Sequence, residues 1–311
     1  MHRSRALLAL VTALSLASPG CRGCSTPKEP QIESTTAKSS PPLPPRELRP
    51  SLQGDVLIGE ADDTNRYPST VAVYALSPPG QSRYRGCAGV LLTPQLVLTA
   101  GQCVCRPHQD SRAGLERAIR MDASDCASRA AVVTHMYEPL THRKGVESWF
   151  VEYQGDVRPH PRFEVQLDEW GRAAVHHADL AIIRLDDPVQ KNILPVRLAD
   201  AEATVGEFLA VVGYGYIEEL SSGDGTRRFS REEVRELLEP DRKNVLFGSP
   251  DSSSYKGDTG GPCLRETDQG SELLGISNRG LGQAPTFTSI PHYREWLVEE
   301  IRLAGQRAPT P

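Results

Sequence analysis

The chain has 311 residues, enough for one large domain or two small ones, and its 38% hydrophobic content excludes a wholly disordered polypeptide. Its 35 Lys and Arg against 40 Asp and Glu give a formal net charge of −5, so there is no basic field to neutralise a phosphate backbone, and nucleic acid is not an expected partner. The 26 Gly and 25 Pro favour a turn-rich β chain over a helical bundle.

Residues 1–20 read as an export signal. Arg3 and Arg5 precede an apolar run, Ala6–Ala17, which is followed by Ser18, Pro19, Gly20 and Cys21. That run is too short to span a bilayer, which needs about 20 residues. The small residues leading into Cys21 resemble a bacterial lipoprotein signal, which implies lipidation of Cys21 and an outer-membrane protein held by a lipid anchor alone. Ordinary cleavage without lipid, giving a periplasmic or extracellular chain, is the competing reading. Residues 21–55 read as a tether: seven prolines lie between Ser25 and Pro50 among Ser, Thr, Lys and Glu, with hardly a bulky side chain to build a core.

A domain is expected over residues 56–305, with a tail at 306–311. Short apolar runs separated by turn residues occur at Thr70–Ala75, Gly89–Leu92, Gln95–Thr99, Ala130–Thr134, Ser148–Tyr153, Leu180–Leu185, Phe208–Val212 and Leu273–Ser277. This pattern predicts an all-β sandwich or barrel. Steps of three and four through Tyr293, Trp296, Leu297, Glu300 and Ile301 predict a terminal helix, with Pro291 in its first turn and Gly305 at its stop. A second, shorter helix is expected over Arg231–Leu238. No internal repeat is visible.

Three segments carry the functional reading: Leu-Val-Leu-Thr-Ala-Gly-Gln-Cys at Leu96–Cys103, His-Ala-Asp-Leu-Ala-Ile-Ile-Arg-Leu at His177–Leu185, and Lys-Gly-Asp-Thr-Gly-Gly-Pro-Cys at Lys256–Cys263. In this order they resemble the signature blocks of the trypsin/chymotrypsin-like serine proteases. Leu57-Ile58-Gly59 before Tyr67-Pro68, the Val212-Gly213-Tyr214-Gly215 turn and Tyr293–Trp296 extend the likeness over residues 57–304. The resemblance implies two antiparallel six-stranded β-barrels with a cleft between them and a C-terminal helix.

The chemistry departs from the family. Its mechanism needs a nucleophilic hydroxyl, an imidazole base and a buried carboxylate, and the matching positions hold Thr259, Gln102 and Asp179. An amide cannot accept a proton near neutral pH, so Gln102 cannot serve as general base, although it can donate to Asp179 and accept from Thr259. Thr259 keeps a hydroxyl, but its added methyl group stiffens χ1 and crowds a carbonyl. His176 and His177 are the alternative sources of a base; strand alternation turns one of the two away from Asp179.

The resemblance implies an oxyanion hole formed by the backbone N–H groups of Gly257 and Thr259. It places Ser253 at the pocket floor and Ser277 on its wall. Arg279 stands where the family has a pocket glycine, and Pro285 where a second glycine is common; a one-residue slip would give the first role to Gly280. Cys87 and Cys103, 16 apart, match the family's bridge beneath the catalytic base, and Cys105 with Cys126 would clip a polar insertion. Cys263 reads as a buried thiol, and Cys24 has no obvious partner except Cys263. Cys103-x-Cys105 lacks the second spaced pair of a zinc site, and neither metal nor cofactor is expected. Two functions fit: an exported, catalytically silent protease-like module that binds a protein or peptide partner, or a serine-type endopeptidase with weak residual activity through Thr259.

Overall fold

The computed structural model describes residues 59–76, 86–109, 119–140, 145–168, 171, 173–214, 226–238, 243–248, 258–281 and 284–306. The expected signal, Cys21 and the expected tether lie outside the described residues. Six strands, Thr70–Leu76 (β1), Cys87–Thr93 (β2), Leu96–Thr99 (β3), Arg129–Pro139 (β4), Val146–Pro159 (β5) and Ala181–Leu185 (β6), close an antiparallel barrel in the order β6-β3-β2-β1-β4-β5. A second set follows: Phe208–Gly213 (β7), Arg228–Leu238 (β8), Asn244–Phe247 (β9), Pro262–Thr267 (β10), Gly270–Leu281 (β11) and Ala284–Ser289 (β12). It runs β8-β7-β10-β11-β12-β9, and β9 pairs back onto β8 to close the second barrel. The two barrels expected from the sequence are present.

The apolar runs become strands because turns bound them and because their alternate side chains have a barrel interior to fill. Val71, Val90, Leu91, Val97, Leu98 and Ile183 are completely excluded from solvent in the first barrel. Leu209, Val211, Val234, Val245, Phe247, Leu274 and Phe287 fill the second. Burying such a side chain is worth about 1.5–3 kcal/mol.

The helix expected over Arg231–Leu238 is not formed; the segment belongs to β8. Its Arg, Glu and Leu residues favour helix by less than about 1 kcal/mol each. In β8, however, the backbone completes two ladders, from Phe208↔Glu233 to Gly213↔Arg228 on one side and from Val234↔Phe247 to Leu238↔Asn244 on the other. Alternation buries Glu232 and Val234 while Arg231 and Arg235 stay exposed. Barrel closure overrides local propensity.

The terminal helix forms as Arg294–Gln306 (α1), with Pro291 in a short 3₁₀ turn just before it. Leu297 enters the core, and the buried Glu300 accepts a hydrogen bond from the Arg158 guanidinium at 3.0 Å. The ring of His160 meets Tyr293 and Trp296 edge-on, with centroids 5.3 and 4.6 Å apart.

Two segments outside the barrels form an additional antiparallel sheet that the sequence did not foretell. His108–Gln109 and Ile119–Asp122 come from the segment between β3 and β4, and Glu164–Leu167 and Ala173–His177 from the segment between β5 and β6. Ile119–Asp122 pairs with Glu164–Leu167 and so joins the two insertions.

Burial lowers the pKa of His135 and of His160 from 6.5 to about 4, with Arg227 and Arg162 respectively adding to the effect. Between these values the unfolded chain binds protons that the folded chain refuses, so stability is full above about pH 6.5 and falls as the pH drops toward 4. The urea midpoint is expected to decline across this window, and less steeply in His160→Gln than in the unmutated chain. An unchanged slope in that variant would contradict the assignment.

Candidate active site

Gln102 is placed by the end of β3. After Thr99 the chain turns through a 3₁₀ segment, Gly101–Cys103, at which a Cβ on Gly101 would run into the ring of Phe163. The bridge from Cys103 to Cys87 ties this turn to the start of β2. From here Gln102 donates twice to one carboxylate: its backbone N–H to Asp179 Oδ1 at 3.0 Å and its side-chain Nε2 to Asp179 Oδ2 at 2.7 Å.

Asp179 is completely buried at the entry to β6. The bend that presents it is made by Ala178 at φ 46°, a conformation uncommon for a non-glycine residue. The Tyr293 hydroxyl supports the bend by accepting the Ala178 N–H at 3.1 Å. His176 is the member of the histidine pair that faces the site: its side chain is fully buried, with Nδ1 3.4 Å from Asp179 Oδ2, whereas His177 is exposed. Alternation along Ala173–His177 separates the two, as expected.

Thr259 lies on a loop pinned to both barrels. Its carbonyl accepts the Ala88 N–H at 2.9 Å, and Ala88 adjoins the disulfide that anchors Gln102. The Gly260 N–H bonds the carbonyl of Ser277 at 2.7 Å, and Gly261 accepts from the Ser277 N–H at 2.9 Å. Gly260 needs its lack of a side chain: φ is +87°, and a Cβ would overlap the Ala88 carbonyl and the Thr99 hydroxyl. Gly213, at the end of β7, leaves room for the carboxylate of Asp258 in the same way. Gln102 and Asp179 are thus in contact and Thr259 is tied to the same corner. Among the described residues no hydrogen bond joins Gln102 to Thr259, so that part of the expected arrangement is not met.

Of the remaining site residues, Ser277 is buried on β11 and Pro285 is buried on β12. Ser253, Gly257 and the side chain of Arg279 lie outside the described residues. The sequence reading missed the roles of Asn278, Thr286 and Thr288. Asn278 Nδ2 donates to Thr288 Oγ1 at 3.2 Å and Asn278 Oδ1 accepts from the Thr286 hydroxyl, so this buried amide is satisfied across the β11–β12 ladder. The available signal was the register Asn278↔Thr286, invisible before the hairpin forms. Asn244 was missed as well; its Nδ2 donates to the His176 carbonyl at 3.2 Å.

Cys105 is joined to Cys126, and Cys263 is a buried free thiol. Burial pushes the Cys263 thiol well up, with the nearby carboxylates of Glu232 and Asp258 adding to the shift, so it is not a ready nucleophile. Among the described residues no group of three or more His, Cys, Asp and Glu is placed to hold a metal ion, and no helix is long and apolar enough to cross a membrane. Replacing Cys87 and Cys103 together by alanine is expected to cost about 2–5 kcal/mol of stability. Non-reducing peptide mapping checks the pairing, which a Cys103–Cys126 link would overturn.

Known proteins resemble the chain over most of its length. The family model described as Trypsin matches residues 57–297. The chain is 26% identical over 299 residues to phenoloxidase-activating factor 3 of Holotrichia diomphalia, covering 86% of this chain and 79% of that one. It is 24% identical over 323 residues to the phenoloxidase-activating enzyme of Bombyx mori, covering 89% and 68%. It is also 25% identical over 271 residues to kallikrein-2 of Homo sapiens, covering 81% and 92%.

Proposed function

The chain belongs to the trypsin family, and from that premise we propose that it is a catalytically silent member, exported, which acts by binding a protein or peptide partner. One observation carries the reading: the place of the imidazole base is taken by the Gln102 amide, already engaged with Asp179 through both its backbone and side-chain nitrogens. The active mechanism needs a group there that takes the hydroxyl proton and later returns it. The Gln102 amide nitrogen has no basic lone pair, and its carbonyl oxygen does not hold a proton near neutral pH. Removing the base from such a triad costs about 10⁶ in rate in a protease of the same mechanism. His176 does not supply the lost function, because its fully buried ring is closed to a substrate.

The two disulfides support passage through an oxidising compartment. An outer-membrane lipid anchor at Cys21 is the finer form of this proposal. It predicts that Cys21→Ala moves the protein out of the membrane fraction; unchanged partitioning would argue against the anchor.

The second reading, weak endopeptidase activity through Thr259, is favoured by the intact backbone frame around that residue, which Ala88, Gly260 and Ser277 still hold. One experiment separates the two. The purified chain is offered ester and peptide substrates and a fluorophosphonate, in parallel with Thr259→Ala. Silence predicts background turnover and no labelling in both. Turnover lost specifically in Thr259→Ala would establish the enzyme reading.

A further inference from the structure

His176 has no counterpart in the chemistry that the Gln102 and Thr259 positions imply, yet the fold spends two separate contacts on it. Its imidazole stands 3.4 Å from Asp179 Oδ2, with both side chains completely removed from solvent. Its backbone carbonyl accepts the Asn244 side-chain N–H at 3.2 Å, and Asn244 is paired in register with Thr288 in the second barrel. The strand that carries it, Ala173–His177, is the last of the additional sheet and leads through the strained Ala178 directly into Asp179. His176 thus connects the inserted sheet, the second barrel and the carboxylate.

We propose that His176 is a positioning residue for Asp179, its imidazole N–H facing the buried carboxylate and compensating it in the absence of a triad imidazole. Gln102 gives Asp179 two amide donors, which fill two of the about four acceptor sites of a carboxylate. The His176 ring brings a further N–H to within 3.4 Å of Asp179 Oδ2, in a place closed to water. Through Asp179 this fixes the Gln102 turn. The inference concerns the support of Asp179 and holds whether or not the chain has activity.

The test uses the full chain and no turnover measurement. In a chain labelled with ¹⁵N-histidine, the Nδ1 proton of His176 is expected at low field, assigned by its loss in His176→Gln, and it should move upfield in Asp179→Asn. Urea unfolding of His176→Leu, Asp179→Asn and the double variant should show coupling, with the double variant's unfolding constant about tenfold closer to the parent than the product of the singles predicts. His176→Gln, which keeps an N–H donor, should recover part of the loss. A resonance indifferent to Asp179→Asn, or single effects that simply multiply, would overturn the proposal. If His176→Leu does not fold, the resonance alone decides, its absence from low field counting against the assignment.

Discussion

Changing Gln102→His and Thr259→Ser together is expected to raise covalent labelling by a fluorophosphonate at least about 10³-fold over the unmutated chain, while neither single change does so. The members of a hydroxyl–imidazole–carboxylate relay act as a unit, so repairing one leaves the other missing. The third member is already in position: Asp179 Oδ2 lies 2.7 Å from Gln102 Nε2, where an imidazole N–H would have to bond. The labelled serine would be set on the same pinned loop, with its carbonyl on Ala88 and Gly260 at positive φ. Hydrolysis of a peptide needs more, because binding must favour the transition state over the bound substrate. Pro285 is buried where the family resemblance puts a glycine, and the double variant should stay below a kcat/KM of about 10⁴ M⁻¹s⁻¹, the low end for working enzymes. Labelling by a single variant would show that the two positions do not act as a unit, and ordinary protease rates in the double would confine the proposed defect to these two side chains and clear the pocket.

The largest effect on stability is expected at the junction of the barrels. Asp62 follows a short strand, Glu60–Ala61, that pairs with β8, and its carboxylate accepts from Arg227 Nε at 2.7 Å with both groups completely buried. The same carboxylate accepts the backbone N–H groups of Arg66 and Tyr67 at 2.6 and 2.9 Å. Arg227 also donates to the His135 carbonyl on β4 at 2.9 Å, and its own N–H is held by the Tyr137 hydroxyl at 2.6 Å. One ion pair therefore fastens the first described segment and the first barrel to the start of β8 in the second. Asp62→Ala leaves a buried guanidinium without its counter-charge and should cost about 3–5 kcal/mol, or roughly 10 °C in Tm for a domain of this size. Replacing both residues, Asp62→Leu with Arg227→Met, should recover most of the loss, since two apolar side chains avoid the desolvation cost. A change below about 1 kcal/mol in Asp62→Ala would show that the pair contributes little.

Elements decided by local pattern were legible before folding, and elements decided by distant partners were not. Val-Leu-Leu, Leu-Val-Leu-Thr and Ile-Ile-Arg-Leu read as buried strands because apolar runs of that length between turn residues have one economical fate. Residues 231–238 misled because their composition suits a helix, while the ladders to β7 and β9 come from segments elsewhere in the chain. The additional sheet was hidden for the same reason: neither insertion is apolar enough to announce a strand, and each finds its partner in the other.

At the site, residue identity alone determined that Gln102 and Thr259 stand where the family resemblance puts an imidazole and a serine hydroxyl. The order of the three motifs determined the family; the resemblance anticipated the Cys87–Cys103 bridge and spacing alone the Cys105–Cys126 bridge, and the structure contains both. Tertiary structure alone decided which histidine meets Asp179, because one residue of register separates a fully buried ring from an exposed one. It alone revealed the Arg227–Asp62 pair, whose members stand 165 residues apart. A buried ionic contact between distant residues leaves no local trace: its formation depends on both barrels excluding water from one place, and composition and spacing carry no information about where that place will be.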